Sequence, residues 1–101
     1  LHSDDITAIV FSIANSERLC KALMICKKPT SAMELCRALQ IKRQNIRKLV
    51  IDRLIEGSLL TVGETQGRRT FYVRVPFLDL INFDRLAVKK YPNIQFEGST
   101  A

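Results

Sequence analysis

The stretch from residue 31 to residue 57 constrains the fold of this chain most. Ser31 is followed three residues later by Glu34, which is the pattern of a capping box that satisfies free backbone N–H groups at a helix start. The apolar positions that follow have helical spacing: Met33, Leu35 and Leu39. We therefore expect a short amphipathic helix here, interrupted at residues 40–42.

A second helix is predicted from about Arg43. Its apolar positions also recur at helical spacing: Ile46, Leu49, Val50 and Leu54. Gly57 is suited to the position that ends a helix. A short helix, a turn of about three to four residues and a longer helix form the helix-turn-helix pattern, in which the second helix enters the major groove of DNA.

The start of this second helix is rich in positive charge and hydrogen-bond donors, with no acid before Asp52. The residues concerned are Arg43, Gln44, Asn45, Arg47 and Lys48. Arg and Lys suit phosphate oxygens and guanine edges, whereas Gln and Asn match adenine. We predict that these side chains read bases or adjacent phosphates, and that Thr30, Ser31 and Lys42 fix the DNA backbone. The alternative is a solvated helix face.

Two strands around a basic turn follow the helix pair. Residues 59–62 predict the first strand and residues 70–75 the second, in which Phe71, Val73 and Val75 alternate with Thr70, Tyr72 and Arg74. The turn at 64–69 contains Gly67, which accommodates a positive φ. We predict that Arg68 and Arg69, at the tip of this hairpin, reach phosphate or the minor groove.

The net charge of +6 is concentrated in one part of the 101-residue chain. Residues 18–56 hold ten basic and three acidic residues, whereas residues 1–17 hold three acids and neither Lys nor Arg. A focused positive region indicates a polyanionic partner. Charge alone leaves DNA, RNA and acidic protein open.

The ends of the chain are predicted to be helical and apolar. Ser3 and two aspartates suit the start of a first helix, and Ser16 caps a second one that runs to about Cys26. A last helix is expected from about Phe77 to Lys89, interrupted near Asn82. We expect one domain over residues 1–92, followed by a loose tail at 93–101.

The chain resembles the ArsR-type family of small dimeric bacterial and archaeal transcriptional repressors. The resemblance runs from residues 14–19 through the helix-turn-helix to the phrase GRRTFYVRV at 67–75, and includes PTSAMEL at 29–35. It implies a winged helix-turn-helix, mainly α with a small β-hairpin, that binds double-stranded DNA. It also implies a homodimer through the first and last helices, with recognition helices about 34 Å apart.

The cysteines match those of metal-sensing relatives only in part. Such relatives carry a Glu-Leu-Cys-x-Cys-Asp-Leu phrase; here Cys36 matches the first cysteine, but Ala38 and Leu39 stand in place of the second cysteine and the acid. Cys20 and Cys26 are six residues apart, about 240° around a helix. We expect buried thiols with no metal or cofactor. A thiol- or metal-responsive sensor of the same fold is the alternative.

Composition and motifs argue against several other functions. The odd cysteine count, the lack of a signal peptide and the lack of a long apolar run predict a cytoplasmic protein without a membrane span. The chain shows no nucleophile arrangement around its single histidine and no glycine-rich phosphate loop, so we expect no enzyme. A winged-helix module that binds another protein is the rival from a different class.

Overall fold

The structure, a computed structural model, describes residues 3–94 and the side chains of residues 5–94. The helices are α1 (Ser3–Ile13), α2 (Glu17–Ile25), α3 (Ala32–Leu39), α4 (Arg43–Ile46), a π-helical turn (Arg47–Ile51), α5 (Asp52–Glu56), α6 (Phe77–Leu80) and α7 (Phe83–Lys90). The strands are β1 (Thr30–Ser31), β2 (Leu60–Gln66) and β3 (Arg69–Arg74). The predicted mainly helical fold with a small hairpin is confirmed.

Serine caps start two of the helices, as the sequence predicts. The Ser16 hydroxyl oxygen accepts a hydrogen bond from the backbone N–H of Leu19, and Ser31 accepts one from Glu34, both at 3.2 Å. Each bond satisfies one of the N–H groups that lack a partner in the first helical turn. The caps therefore fix where α2 and α3 begin, on either side of the loop at residues 26–29.

Residues 43–56 form one continuous helix, which we call the recognition helix, with a π turn in its middle. Within it, the backbone N–H of Asp52 bonds the carbonyl of Arg47, five residues back. In a regular α-helix, each step of four residues, such as from 46 to 50 and from 50 to 54, would rotate the side chain by about 40° around the helix axis. The extra residue of the π turn offsets that rotation, and Ile46, Val50 and Leu54 are all buried.

The recognition helix ends differently from the prediction. Gly57 has φ −79°, whereas the left-handed residue is Ser58, with φ 61°. A glycine is still required at position 57, because an added Cβ would lie 2.3 Å from Ile13 Cγ2. Gly57 therefore serves the close approach of α1 to the recognition helix and not a positive φ.

The sheet is antiparallel and three-stranded, in the order β1–β3–β2. Residues 30–31 pair with Phe71 and Tyr72, which the sequence did not predict. The hairpin turn is narrower than predicted, since β2 extends to Gln66 and only Gly67 and Arg68 lie between the strands. Gly67 has φ 62°, as its place in the turn predicts. We call the β2–β3 hairpin the wing.

The face of β3 that points toward the core is less apolar than the face that points away from it. Tyr72 and Arg74 are buried, whereas Phe71 and Val73 are only partly covered. In β2, Val62 lies opposite Tyr72 and Leu60 opposite Arg74. The buried charge at position 74 requires partners, which the C-terminal helices supply.

The C-terminal helices pack back on the first helix. The predicted interruption is confirmed at Asn82, which has φ 53° and separates α6 from α7. The ring of Phe83 stacks on that of Phe11, with centroids 5.4 Å apart. Ile94 is buried beyond α7, whereas the rest of the predicted tail, residues 95–101, lies outside the described residues.

A single core joins all these layers. Its fully buried side chains come from α2, α3, the recognition helix, β2, α6 and α7, and include Leu23, Leu35, Ile46, Leu54, Leu60, Leu78 and Phe83. On α2, Leu19, Cys20, Leu23 and Met24 face this core and are buried. Over residues 3–94, no helix has both the length and the apolarity that crossing a membrane requires.

Candidate nucleic-acid interface

The polar start of the recognition helix faces solvent. Six of the predicted DNA-binding residues are exposed there: Lys42, Arg43, Gln44, Asn45, Arg47 and Lys48. Ile46, between them, is buried and anchors this end of the helix to the core. The side chains that the sequence assigns to base and phosphate contacts are thus free to meet a ligand.

A cleft of about 450 Å³ separates this helix start from the wing. Arg43 and Arg47 line one wall, and Arg68 and Arg69 line the other. Between the walls lie Ala32 and Met33 of α3, whose N-terminus opens into the cleft, together with Tyr72 of β3. We call this space the arginine cleft. It brings the two predicted basic groups, more than 20 residues apart in sequence, onto one surface.

The arginine cleft has one sign of charge. Four guanidinium groups line it and no carboxylate does. Within residues 5–94 the structure shows ion pairs at Arg74 only, so all four guanidinium groups are free of carboxylate partners there. Guanidinium groups match phosphate oxygens in charge and in fork geometry. The cleft can therefore hold a strand of phosphodiester groups.

Thr30 and Ser31 are buried, unlike the predicted DNA-binding residues of the recognition helix. Their relative exposures are 1% and 3%. The Thr30 hydroxyl donates to the backbone oxygen of Lys28 at 2.8 Å, and the Ser31 oxygen caps α3. Both hydroxyl groups are engaged within the protein, where they hold β1 and α3 in place, and Ser31 also lines the arginine cleft. Their contact with the DNA backbone stays a prediction.

Met33 is the cleft residue that sequence reasoning misplaced. The spacing with Leu35 and Leu39 predicts an inward orientation, yet Met33 is 38% exposed. It occupies the first turn of α3, which projects past the core into the arginine cleft. Its sulfur accepts a hydrogen bond from Nη2 of Arg37 at 3.7 Å. No signal in the sequence separates such a terminal position from a core one.

The three cysteines are free thiols, two of them deep in the core. Burial raises the pKa of Cys20 to about 11 and that of Cys26 to about 12, so both stay protonated near neutral pH. The Cys20 thiol donates to the backbone oxygen of Ala14 at 3.3 Å. In the part of the chain that the structure describes, no cluster of three His, Cys, Asp or Glu side chains could hold a metal ion.

An ion cluster around the buried Arg74 lies at the other end of the wing. The Arg74 guanidinium, on β3, donates to Asp79 of α6 and to Asp84 of α7, both at 2.5 Å, and to the Leu23 carbonyl at 3.3 Å. The hydrogen bond and charge of Arg74 hold the pKa of Asp79 below its usual range. The sequence analysis did not predict this cluster, which ties the wing to the C-terminal helices.

Comparison with known proteins supports the architecture. Neither a family model nor a curated protein sequence matches the chain. Among solved structures, it is similar to reduced HlyU from Vibrio cholerae N16961, with a TM-score of 0.67. The two share 16% sequence identity over 84% of this chain and 87% of that one. At this identity the likeness shows the fold, and the chain is accordingly a winged helix-turn-helix.

Proposed function

We propose that this chain is a sequence-specific double-stranded DNA-binding transcriptional regulator. The observation that carries the proposal is the arginine cleft, in which the exposed start of the recognition helix and the wing tip form one basic surface. The recognition helix enters the major groove, and the wing rests on the backbone or in the adjacent minor groove. The resemblance to ArsR-type proteins favours a repressor, and the free thiols suit the cytoplasm.

The exposed side chains divide into two roles. Arg43, Gln44, Asn45, Arg47 and Lys48 read base edges or the phosphates beside them, since a helix in the major groove presents its first turns to the bases. Arg68 and Arg69 neutralise phosphate, with Lys42 as a further backbone contact. Thr30 and Ser31 keep β1 paired with β3 and so support the wing.

The test is selection of bound duplexes from a random pool at two salt concentrations. We expect a preferred site with two half-sites in inverted order, and binding that falls log-linearly with salt. If no duplex is retained even at the lower salt, the proposal fails and a protein-binding role for this surface becomes the better one. If duplexes are retained without any enriched sequence, the regulator is not sequence-specific.

Apolar surface on the terminal helices supports a homodimer. Phe11 of α1 stacks on Phe83 of α7, so these two helices share one side of the domain. On them, Ile9 is 51% exposed and Val88 is 43% exposed. Large exposed aliphatic side chains on neighbouring helices are typical of an interface. We infer that two copies pair through α1 and α7.

Replacing Ile9 and Val88 by glutamate is expected to separate the dimer, because four like charges would be buried at a two-fold interface. The double variant should sediment at the 11.5 kDa mass of one chain at micromolar concentration, and the unchanged protein at twice that mass. Val62→Glu with Leu80→Glu, which places the same two charges at exposed aliphatic residues outside α1 and α7, is the matched control and should remain dimeric. An unchanged protein that sediments as a monomer would refute the dimer.

A further inference from the structure

Met33 has no role in the binding of phosphate, although it lies between four arginines. It is the one large apolar side chain lining the arginine cleft that the structure describes as exposed. An apolar group at that position lowers the polarity of a surface otherwise suited to anions. Nη2 of Arg37 donates a hydrogen bond to its sulfur at 3.7 Å, and the side chain lines the cleft.

What passes through the cleft follows from the proposed function. With the recognition helix in a major groove and the wing on the adjacent minor groove, one sugar–phosphate strand runs between the two walls. Such a strand alternates a charged phosphate with a sugar whose carbon atoms form an apolar surface. The guanidinium groups that line the cleft match the phosphates, whereas the apolar side chains of Ala32 and Met33 match the carbon atoms of the sugar.

We propose that Met33 packs against the carbon face of one deoxyribose in each half-site and so makes the cleft selective for a deoxyribose backbone. This inference rests on the proposed function. A ribose at the same position adds a 2′-hydroxyl group and changes the sugar pucker. Both changes disfavour contact with a thioether, because a hydroxyl group buried against an apolar side chain loses its hydrogen bonds to water.

The experiment scans a selected DNA duplex with single ribonucleotides, placed one position at a time along each strand. The unchanged protein should lose about threefold to tenfold in affinity at one position per half-site, which corresponds to part of the burial of a methionine side chain. Met33→Gln should bind the all-DNA duplex more weakly and lose no more than about twofold at that same position. Met33→Leu, which keeps an apolar side chain, should restore the sensitivity.

Controls separate the possible results. Leu80→Gln removes an exposed apolar side chain from α6, away from the cleft, and should leave the ribonucleotide profile unchanged. If the unchanged protein binds the all-DNA duplex and every ribonucleotide-substituted duplex with equal affinity, the role of Met33 is overturned while the proposed function stands. Sensitivity to replacement of a thymine by uracil, without sensitivity to ribose, assigns Met33 to a base methyl group and also overturns the proposal. Failure to bind any duplex refutes the proposed function itself.

Discussion

Replacing both Asp79 and Asp84 by asparagine is expected to lower the free energy of unfolding, and by more than the loss of Arg74 itself. The substitution preserves shape and leaves oxygen acceptors for the guanidinium group, so it removes charge alone. Arg74 is only 5% exposed, and it would then be a buried charge without a counter-charge. Since the cluster joins β3 to α6 and α7, this loss should appear in the global unfolding transition.

Removing the positive charge of Arg74 instead should lower the free energy of unfolding much less. In Arg74→Met the buried position becomes apolar, and the two carboxylates are left partly in water, because their side chains are 56% and 36% exposed. We expect a loss of no more than about 1 kcal/mol. Urea unfolding measures both variants, with Glu64→Gln as a control at an exposed carboxylate on the wing. Equal losses for the two variants would show that the charge of Arg74 is not effectively buried.

The same cluster makes the free energy of unfolding depend on pH in acidic solution. The pKa of Asp79 is lowered in the folded protein, so its contribution is complete above the unfolded pKa of an aspartate and is lost as the pH falls through the folded value. The stability difference between the unchanged protein and the double asparagine variant should therefore shrink in strongly acidic solution.

Local patterns predict the elements of this fold because each carries its own signal. Ser16 and Ser31 are caps in the structure as in the sequence, Gly67 takes the positive φ of the wing turn, and Asn82 interrupts the last helix. These features depend on residues close together in the chain. Local chemistry determines them, and tertiary contacts do not reverse it.

Features that depend on how the helices and strands pack against one another were not predictable. Arg74 looks like the polar side of a strand, and its burial follows only from two aspartates that α6 and α7 bring to it. Gly57 is required by a side chain 44 positions away, Ile13. Met33 has helical apolar spacing, but the first turn of α3 extends past the core that would cover it. In each case the position in three dimensions decides the role of the residue.

The arginine cleft also predicts different effects for its two walls on DNA binding. Replacing Arg43 and Arg47 by alanine should cost about 1–3 kcal/mol for each arginine on the preferred duplex and much less on an unrelated one. Replacing Arg68 and Arg69 should weaken binding to all duplexes alike and reduce the salt slope by about 2, one for each phosphate that the protein no longer neutralises. This difference follows from the proposed function, in which helix side chains contact bases and the wing tip contacts the backbone.

Titrations of both double variants against preferred and unrelated duplexes at several salt concentrations test this division. The matched control is Arg18→Ala with Lys27→Ala, which removes the same charge from exposed basic residues outside the cleft and outside the terminal helices. Because long-range attraction depends on total charge, this control should show a small loss shared by all duplexes. If it lowers the salt slope as much as the wing variant does, net charge governs binding and the cleft does not. If the wing variant alters only sequence preference, the roles of the two walls are reversed.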